Sequence, residues 1–126
     1  MIAYLDTQVA VYLGEGALKR VSDEAQELLG RAELLISPMA LIEMEILNEI
    51  RRIDLSATDI VRKLEYEIGL RVCTMPFTKI AEIALDEAWT RDPFDRMIVA
   101  QAKANGLAYL ISADAEIAMN YSRTVW

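Results

Sequence analysis

Short apolar runs alternate with helical stretches along this chain, and this alternation limits the fold more than any other feature of the sequence. The runs have the length and composition of buried strands. They cover residues Ile2–Leu5, Glu33–Ile36, Leu70–Thr74 and Ala108–Ile111, with Thr124–Trp126 as a shorter candidate. Strands that alternate with helices favour a parallel sheet with helices on both faces. We therefore predict an α/β fold, a three-layer α/β/α sandwich around a mainly parallel sheet of four to five strands.

Capping residues and glycines mark where the helices begin and end. Ser and Asp favour helix N-termini, proline fits the first helical position, and glycine favours helix ends. These signals predict helices over Thr7–Leu13, Ser22–Gly30, Ser37 to about Arg52, Ser56–Gly69, Pro76 to near Trp89, and Asp92–Gly106. In the fifth helix, the spacing places Ala88 toward the core and Glu87 on the solvated face. A chain of 126 residues is long enough for one core, so we predict a single domain.

The last of these helices begins in the most distinctive stretch of the chain. Asp92 is a good N-cap, Pro93 suits the first helical position, and Asp95 follows at the third, where an anion meets free N–H groups. Ile98, Val99 and Ala102 lie within about 60° of Asp95 at ~100° per residue. Capping is a sufficient explanation for Asp92. Asp95, in contrast, is a carboxylate at the head of an apolar row, and we take it as a candidate functional group.

A second carboxylate lies on an apolar helix face. Met39, Ile46, Leu47 and Ile50 all fall within about 60° of Glu43 by the same angular step. The pattern therefore predicts that Glu43 is buried, and an unpaired buried carboxylate is costly. Two interpretations follow: a buried ion pair, or a metal ligand or catalytic carboxylate.

Four acidic residues are expected to meet at one edge of the sheet. Asp6 and Asp114 each come at or just after the carboxyl end of a predicted strand, and Glu43 and Asp95 lie early in their helices. Ligand sites of parallel sheets lie beyond the carboxyl ends of the strands. Four carboxylates at that edge would repel one another unless a cation compensated. The arrangement therefore indicates a divalent-metal site.

The absence of histidine narrows the chemistry further. Ser-His-Asp and Cys-His catalysis, histidine acid–base catalysis and histidine-containing zinc sites are all excluded. Hydrolysis would depend on carboxylates, alone or with a hard cation such as Mg²⁺ or Mn²⁺. The net charge of −7 gives no overall basic footprint for nucleic acid, but it is compatible with a metal-bridged phosphate or a basic partner.

The remaining composition favours the cytoplasm. Cys73 is the only cysteine, which excludes an internal disulfide and suits a reducing compartment. We interpret it as a small apolar residue of a strand rather than a nucleophile. No apolar run approaches the ~18 residues of a membrane span, and the N-terminus lacks the basic region of a secretory signal. We expect a cytoplasmic protein that does not contact a membrane.

Several ordered segments, spread over nearly the whole chain, resemble one known family. They are Tyr4-Leu5-Asp6-Thr7, Ser37-Pro38 leading to Glu43, Trp89 to Arg96 followed by Ala100-Gln101-Ala102, and Leu110-Ile111-Ser112-Ala113-Asp114. No segment is diagnostic alone, but the ordered set is quite specific. The chain resembles the PIN domain, and in particular the VapC-type toxins of toxin–antitoxin pairs.

This resemblance implies a metal-dependent endoribonuclease that uses Mg²⁺, with Mn²⁺ as an alternative. Its catalytic and metal-binding residues would be Asp6, Glu43, Asp95 and Asp114. Thr7 and Ser112 match hydroxyl positions that help to hold ligands or water, although position 112 is more often threonine in the family. Asp92 matches a subgroup feature, and Arg96 would contact a phosphate or form a surface ion pair. The resemblance also implies an RNA substrate, a cognate antitoxin and a homodimer. The sequence offers Tyr121 and Trp126 as exposed apolar candidates for a dimer interface, and core packing explains these two residues equally well.

Other classes fit the sequence less well. A phosphoacceptor receiver domain needs an acidic pair after the first strand, where only Asp6 is present, and a haloacid-dehalogenase-like phosphatase needs an acid where Gln8 stands. Neither glycine-rich nucleotide motif occurs. The main alternative is a non-catalytic PIN-like interaction module whose acidic pocket binds a basic partner peptide.

Overall fold

The apolar runs form five strands: β1 (Ile2–Leu5), β2 (Glu33–Ile36), β3 (Arg71–Val72), β4 (Tyr109–Ile111) and β5 (Thr124–Val125). In the computed structural model, which describes residues 1–126, they build one sheet in the order β3-β2-β1-β4-β5. Every neighbouring pair is parallel, with Leu5 opposite Ile36 on one side and Ile111 on the other. The predicted α/β class with a central parallel sheet is confirmed.

Seven α-helices connect or follow the strands. They are α1 (Thr7–Gly14), α2 (Asp23–Leu29), α3 (Pro38–Glu49), α4 (Ala57–Ile68), α5 (Phe77–Ala84), α6 (Pro93–Ala104) and α7 (Ala115–Asn120). The predicted caps of α2, α3, α4 and α6 form, because each side chain accepts a hydrogen bond from the first turn of its helix. None of the helices is both long enough and apolar enough to cross a membrane.

The strand order contains one reversal, and it lies beside β1. From β1 the chain steps to β2 and β3 in one direction, and then crosses back to β4 and β5 in the other. Right-handed crossovers put connections of opposite direction on opposite faces. Helices α1 to α4 therefore cover one face of the sheet, and α5 to α7 cover the other. The carboxyl ends of β1 and β4 flank the crevice at which parallel sheets bind ligands.

The predicted lengths of one helix and one strand were wrong, and one helix was not predicted. Helix α3 ends at Glu49 rather than near Arg52, because Arg51 has the left-handed φ of 62°. Strand β3 has two residues rather than five, and it lies at the edge of the sheet, where only β2 pairs with it. The sequence patterns also gave no indication of α7.

Two side chains near the end of α5 do not lie where the helical spacing predicted. Helix α5 ends at Ala84, so Ala88 falls outside the helix and is exposed. Glu87 is buried, forms an ion pair with Lys103 of α6, and accepts a hydrogen bond from Trp89 Nε1 at 2.7 Å. The early end of α5 decides the exposure of Ala88, and the partner on α6 decides the burial of Glu87.

Tyr121 is buried, so core packing rather than an exposed interface explains this residue.

Helices α1 and α4 pack so closely at Gly14 that a side chain does not fit there. A Cβ atom at Gly14 would lie 2.9 Å from Cγ1 of the fully buried Ile60. We expect Gly14→Ala to lower the free energy of unfolding by about 1–3 kcal/mol, since a packed core resists added volume. Urea denaturation monitored by circular dichroism measures this change.

Gly30 provides the matched control. It has a right-handed helical conformation, and a Cβ atom there meets nothing closer than 3.5 Å. Gly30→Ala should therefore be neutral or stabilise the protein by about 0.4–1 kcal/mol through the unfolded chain. Equal losses of stability in the two variants would contradict this account of the α1–α4 contact.

Candidate metal centre

Asp6 is held by groups from both strands beside the crevice. It is the residue after β1 and is 8% exposed. Its Oδ1 accepts a hydrogen bond from the Thr7 N–H at 2.8 Å, and its Oδ2 accepts one from the Ser112 hydroxyl at 2.5 Å. Ser112 follows β4 directly. The orientation of this carboxylate therefore depends on the β1–β4 pairing.

Three helices begin at the crevice, and each begins with an aspartate. Asp6 caps α1, Asp92 caps α6 and Asp114 caps α7. Oδ1 of Asp92 accepts from the Phe94 N–H at 2.8 Å, and Oδ1 of Asp114 accepts from the Glu116 N–H at 2.8 Å. Helix N-termini carry partial positive charge, so they stabilise anions at this position. At Asp92 and Asp114 the helix occupies one oxygen and leaves the other for a ligand.

Asp95 extends from the first turn of α6 above a buried row. Ile98, Val99 and Ala102 are fully buried, as predicted, and Asp95 itself is half-buried. Burial and, after it, the negative charges of Asp92, Asp6, Asp114 and Glu43 together raise the pKa of Asp95 from 3.8 to about 7. This shift shows that five carboxylates influence one another electrostatically.

Glu43 reaches the same pocket from α3, but the buried face of α3 is not the face that was predicted from the sequence. The core side of α3 consists of Ala40 and Met44, about 60–100° away from Glu43. Ile46 and Ile50 of the predicted stripe are 41% and 56% exposed. The helical spacing correctly grouped residues on one face, but the neighbours α1, α4 and α6 decided which face packs. Glu43 is half-buried, and it makes no ion pair, so the buried ion pair interpretation is wrong.

The pocket measures about 260 Å³, and its lining is almost entirely polar: Asp6, Thr7, Gln8, Glu43, Leu47, Asp92, Asp95 and Asp114. It brings together all four acids that were expected at this edge. Gln8 and Leu47 were not predicted, although Leu47 lies one helical turn after Glu43. A larger cavity of about 510 Å³ lies at the opposite, amino-terminal edge of the sheet, and no acidic residue lines it.

The two remaining predicted residues, Ser112 and Arg96, are not part of this lining, and Arg96 lines a different cavity between α5 and α6. Ser112 donates to Asp6 and also accepts a hydrogen bond from the Asp114 N–H at 3.1 Å, so it supports two of the acids. Arg96 donates from Nε to the Thr90 carbonyl at 2.8 Å and forms no ion pair. The surface ion pair suggested for Arg96 is therefore wrong.

No basic side chain compensates the charge in the pocket. The two ion pairs of the protein, Arg71–Glu33 and Lys103–Glu87, involve none of the lining residues. Burial raises the pKa of Asp6, and the hydrogen bonds from Ser112 and Thr7 offset only part of that rise. Burial also raises the pKa of Glu43, and the nearby Thr7 hydroxyl offsets part of that increase. The pocket is therefore a concentration of negative charge that is costly without a cation.

The donor set fits a hard cation that keeps some of its water. All the polar lining atoms that can bind a cation are oxygens, and neither histidine nor cysteine is among them. Thr7 Oγ1 is a buried polar atom with no well-formed hydrogen bond. No three acidic groups lie close enough to hold one ion as they stand. Magnesium tolerates such an open site, because it retains several waters and needs only one or two direct carboxylates.

Comparison with known proteins identifies the family. The family model of the PIN domain matches residues 3–121, and the chain therefore belongs to the PIN domain family. A search of curated proteins finds no match.

Two solved structures share the fold. One is a chain of VapBC2 from Rickettsia felis bound to a DNA fragment from its promoter, with 14% identity and a TM-score of 0.63, covering 99% of this chain and 96% of that chain. The other belongs to VapBC-1 from nontypeable Haemophilus influenzae, with 18% identity and a TM-score of 0.65, covering 100% and 96%. At these identities the similarity establishes the fold.

The raised pKa of Asp95 predicts how stability changes with pH in the metal-free protein. The folded state binds this proton more tightly than the unfolded chain, so protonation stabilises the fold. This stabilisation is fully present below pH 3.8, the ordinary pKa of the aspartate, and it is lost as the pH rises through the folded-state pKa of about 7. We expect Asp95→Asn to retain more of its stability between pH 5 and pH 8 than the wild type. Urea denaturation in chelator at both pH values measures the difference.

Asp86→Asn is the control, because Asp86 is exposed and lies outside the pocket. It should follow the wild-type pH dependence. Parallel pH profiles for the wild type and Asp95→Asn would contradict the electrostatic description of the pocket.

Proposed function

We propose that the protein is a metal-dependent endoribonuclease of the VapC type, which cleaves RNA phosphodiester bonds. The observation that carries this proposal is the convergence of Asp6, Glu43, Asp95 and Asp114 in one pocket without a compensating basic residue. Such a pocket suits a divalent cation and, through it, the phosphate of a nucleic acid. Membership of the PIN domain family supports the same reaction class.

The proposed role of each site residue follows from the contacts that hold it. When bound, Mg²⁺ or Mn²⁺ supplies Lewis-acid stabilisation of the phosphate and lowers the pKa of a coordinated water. Asp6 and Asp95 would be the main ligands, and Glu43 and Asp114 would complete the site directly or through water. Glu43 caps no helix and its pKa is raised, so we propose that it also acts as the general base, which accepts the proton of the attacking water.

Supporting residues orient these groups. Ser112 and the Thr7 N–H fix the two oxygens of Asp6, and Thr7 Oγ1 is available to a bound water or ligand. Asp92 caps α6 and adds negative charge beside Asp95. We propose that Arg96, whose remaining guanidinium nitrogens are not in an ion pair, contacts a phosphate of the RNA.

Removal of one pocket carboxylate tests the reaction. Asp95→Asn and Asp6→Asn should each reduce cleavage at least ~10²-fold, because each removes negative charge that holds the cation. The assay is incubation with defined tRNA and rRNA substrates in Mg²⁺ or Mn²⁺, and again in chelator, with mapping of the cut sites.

Glu82→Gln, on the exposed face of α5, should cleave like the wild type. Cleavage retained in both aspartate variants would end the nuclease assignment. A chain that binds a basic peptide but shows no metal-dependent cleavage to lose would favour the interaction module.

We also propose that the protein is a cytoplasmic toxin neutralised by a cognate antitoxin. An exposed apolar row on α3 supports this partner: Ile42, Ile46 and Ile50 are 51%, 41% and 56% exposed at four-residue spacing. Glu45 and Glu49 flank the row and line a cavity of about 350 Å³ with α4. An apolar helix with basic flanks is complementary to this surface. The proposed homodimer follows from the family resemblance alone.

A charge on the apolar row of α3 tests the antitoxin surface. We expect Ile46→Lys to arrest growth of a bacterial host like the wild type, but to escape neutralisation by the co-expressed antitoxin, because a buried unpaired lysine opposes binding. Leu85→Lys, at an exposed position after α5, should still be neutralised. Neutralisation of Ile46→Lys at the wild-type level would exclude this surface.

A further inference from the structure

A largely buried chain of hydrogen bonds links several elements of the fold, and Gln101 lies at its centre. Gln101 belongs to α6 and is 2% exposed. Its Oε1 accepts a hydrogen bond from the Ser37 hydroxyl at 3.0 Å, and its Nε2 donates to Cys73 Sγ at 3.1 Å. Both ends of one amide therefore hold groups from other elements of the fold.

The chain continues from Cys73 to β1. The Tyr4 hydroxyl donates to Cys73 Sγ at 3.2 Å and accepts from Asn105 Nδ2 at 2.8 Å. Tyr4 is fully buried, and it precedes Asp6 by two residues on the same strand run. The hydrogen bonds thus connect β1, the loop after β3, the start of α3 and helix α6. Three of these four segments carry a pocket acid.

The Ser37 hydroxyl both accepts and donates a hydrogen bond. It is the N-cap of α3, and its Oγ accepts from the Met39 N–H at 3.2 Å while its hydroxyl hydrogen is donated to Gln101. The hydroxyl is 1% exposed, so both bonds are shielded from water. The position where α3 begins is therefore fixed against the middle of α6.

The Ser37–Gln101 hydrogen bond is separated by the same number of residues from two pocket acids. Glu43 follows Ser37 by six residues on α3, and Asp95 precedes Gln101 by six residues on α6. At 1.5 Å per residue each separation is about 9 Å along a rigid helix. A shift of either helix at the Ser37–Gln101 contact would therefore move Glu43 relative to Asp95.

We propose that Gln101 is a positioning residue, which bridges Ser37 and Cys73 and thereby sets the distance between the Glu43 and Asp95 carboxylates that hold the cation. The inference rests on the proposed function, since it concerns the same metal centre. Groups that hydrogen-bond directly to metal ligands typically contribute 10–100-fold to metal affinity. Gln101 acts one contact further away, through α3 and α6, so we expect an effect at the lower end of this range.

The test is the affinity for Mn²⁺, measured by isothermal titration calorimetry on the full chain without RNA. Gln101→Met keeps the size of the side chain and removes both hydrogen bonds, and we expect its Mn²⁺ dissociation constant to rise about tenfold, the lower end of the range for direct partners of metal ligands. Ser37→Ala should weaken binding similarly, and Ser37→Thr, which retains a hydroxyl, should restore it. The double variant Ser37→Ala/Gln101→Met should be no worse than either single variant, because all of them break one bridge.

Two controls separate positioning from general stability. Leu28→Ala destabilises the buried side of α2, away from the pocket, and Asn105→Ala removes a hydrogen bond of the same chain without touching the Ser37–Gln101 bridge. Both should bind Mn²⁺ like the wild type. Wild-type affinity in Gln101→Met, or an equal loss in Leu28→Ala, would overturn the positioning role.

The outcome also distinguishes this inference from the proposed function. Wild-type protein that binds Mn²⁺ but leaves RNA intact overturns the nuclease proposal alone, because the positioning effect is read from metal binding. Wild-type protein that binds no Mn²⁺ overturns both. If Gln101→Met does not fold, Ser37→Ala and its threonine rescue decide the question.

Discussion

Repulsion among carboxylates in the acidic pocket is the unfavourable interaction that the surrounding fold must offset. Five acidic side chains line one small pocket without a basic partner, and the pKa of Asp95 is raised to about 7 by burial and by the other four. Folding brings these groups together against their mutual repulsion. The apolar core and the sheet must supply the free energy that holds them, and a bound cation would relieve the cost.

The fold offsets this cost in ways that also orient the acids. The reversal of strand order places the ends of β1 and β4 side by side, where Ser112 reaches Asp6. Three helix N-termini point partial positive charge at the pocket through the caps Asp6, Asp92 and Asp114. At Asp92 and Asp114 the helix N-terminus binds one carboxylate oxygen and leaves the other for a ligand, whereas both oxygens of Asp6 accept hydrogen bonds.

Prediction succeeded where the signal is local or periodic. The strand runs, the caps of four helices and the buried row below Asp95 all followed from neighbouring residues. It failed where contact with another element decides the outcome. Glu87 looked solvated but is buried against Lys103, and Glu43 looked centred on a buried stripe that is partly exposed. Leu47 was placed on the face of Glu43 but not in the pocket, and Gln8 gave no signal, because a pocket lining is a property of the assembled elements.

Residue type and spacing were enough to predict the alternation of strands and helices, to exclude histidine chemistry and to identify four acids expected at one edge of the sheet. Packing between elements decided which helix faces are buried, that Asp92 joins the four acids in the pocket, and that the Ser37–Gln101 bridge joins α3 to α6. Burial and hydrogen bonding between distant segments depend on how whole elements pack, and no local pattern encodes that packing.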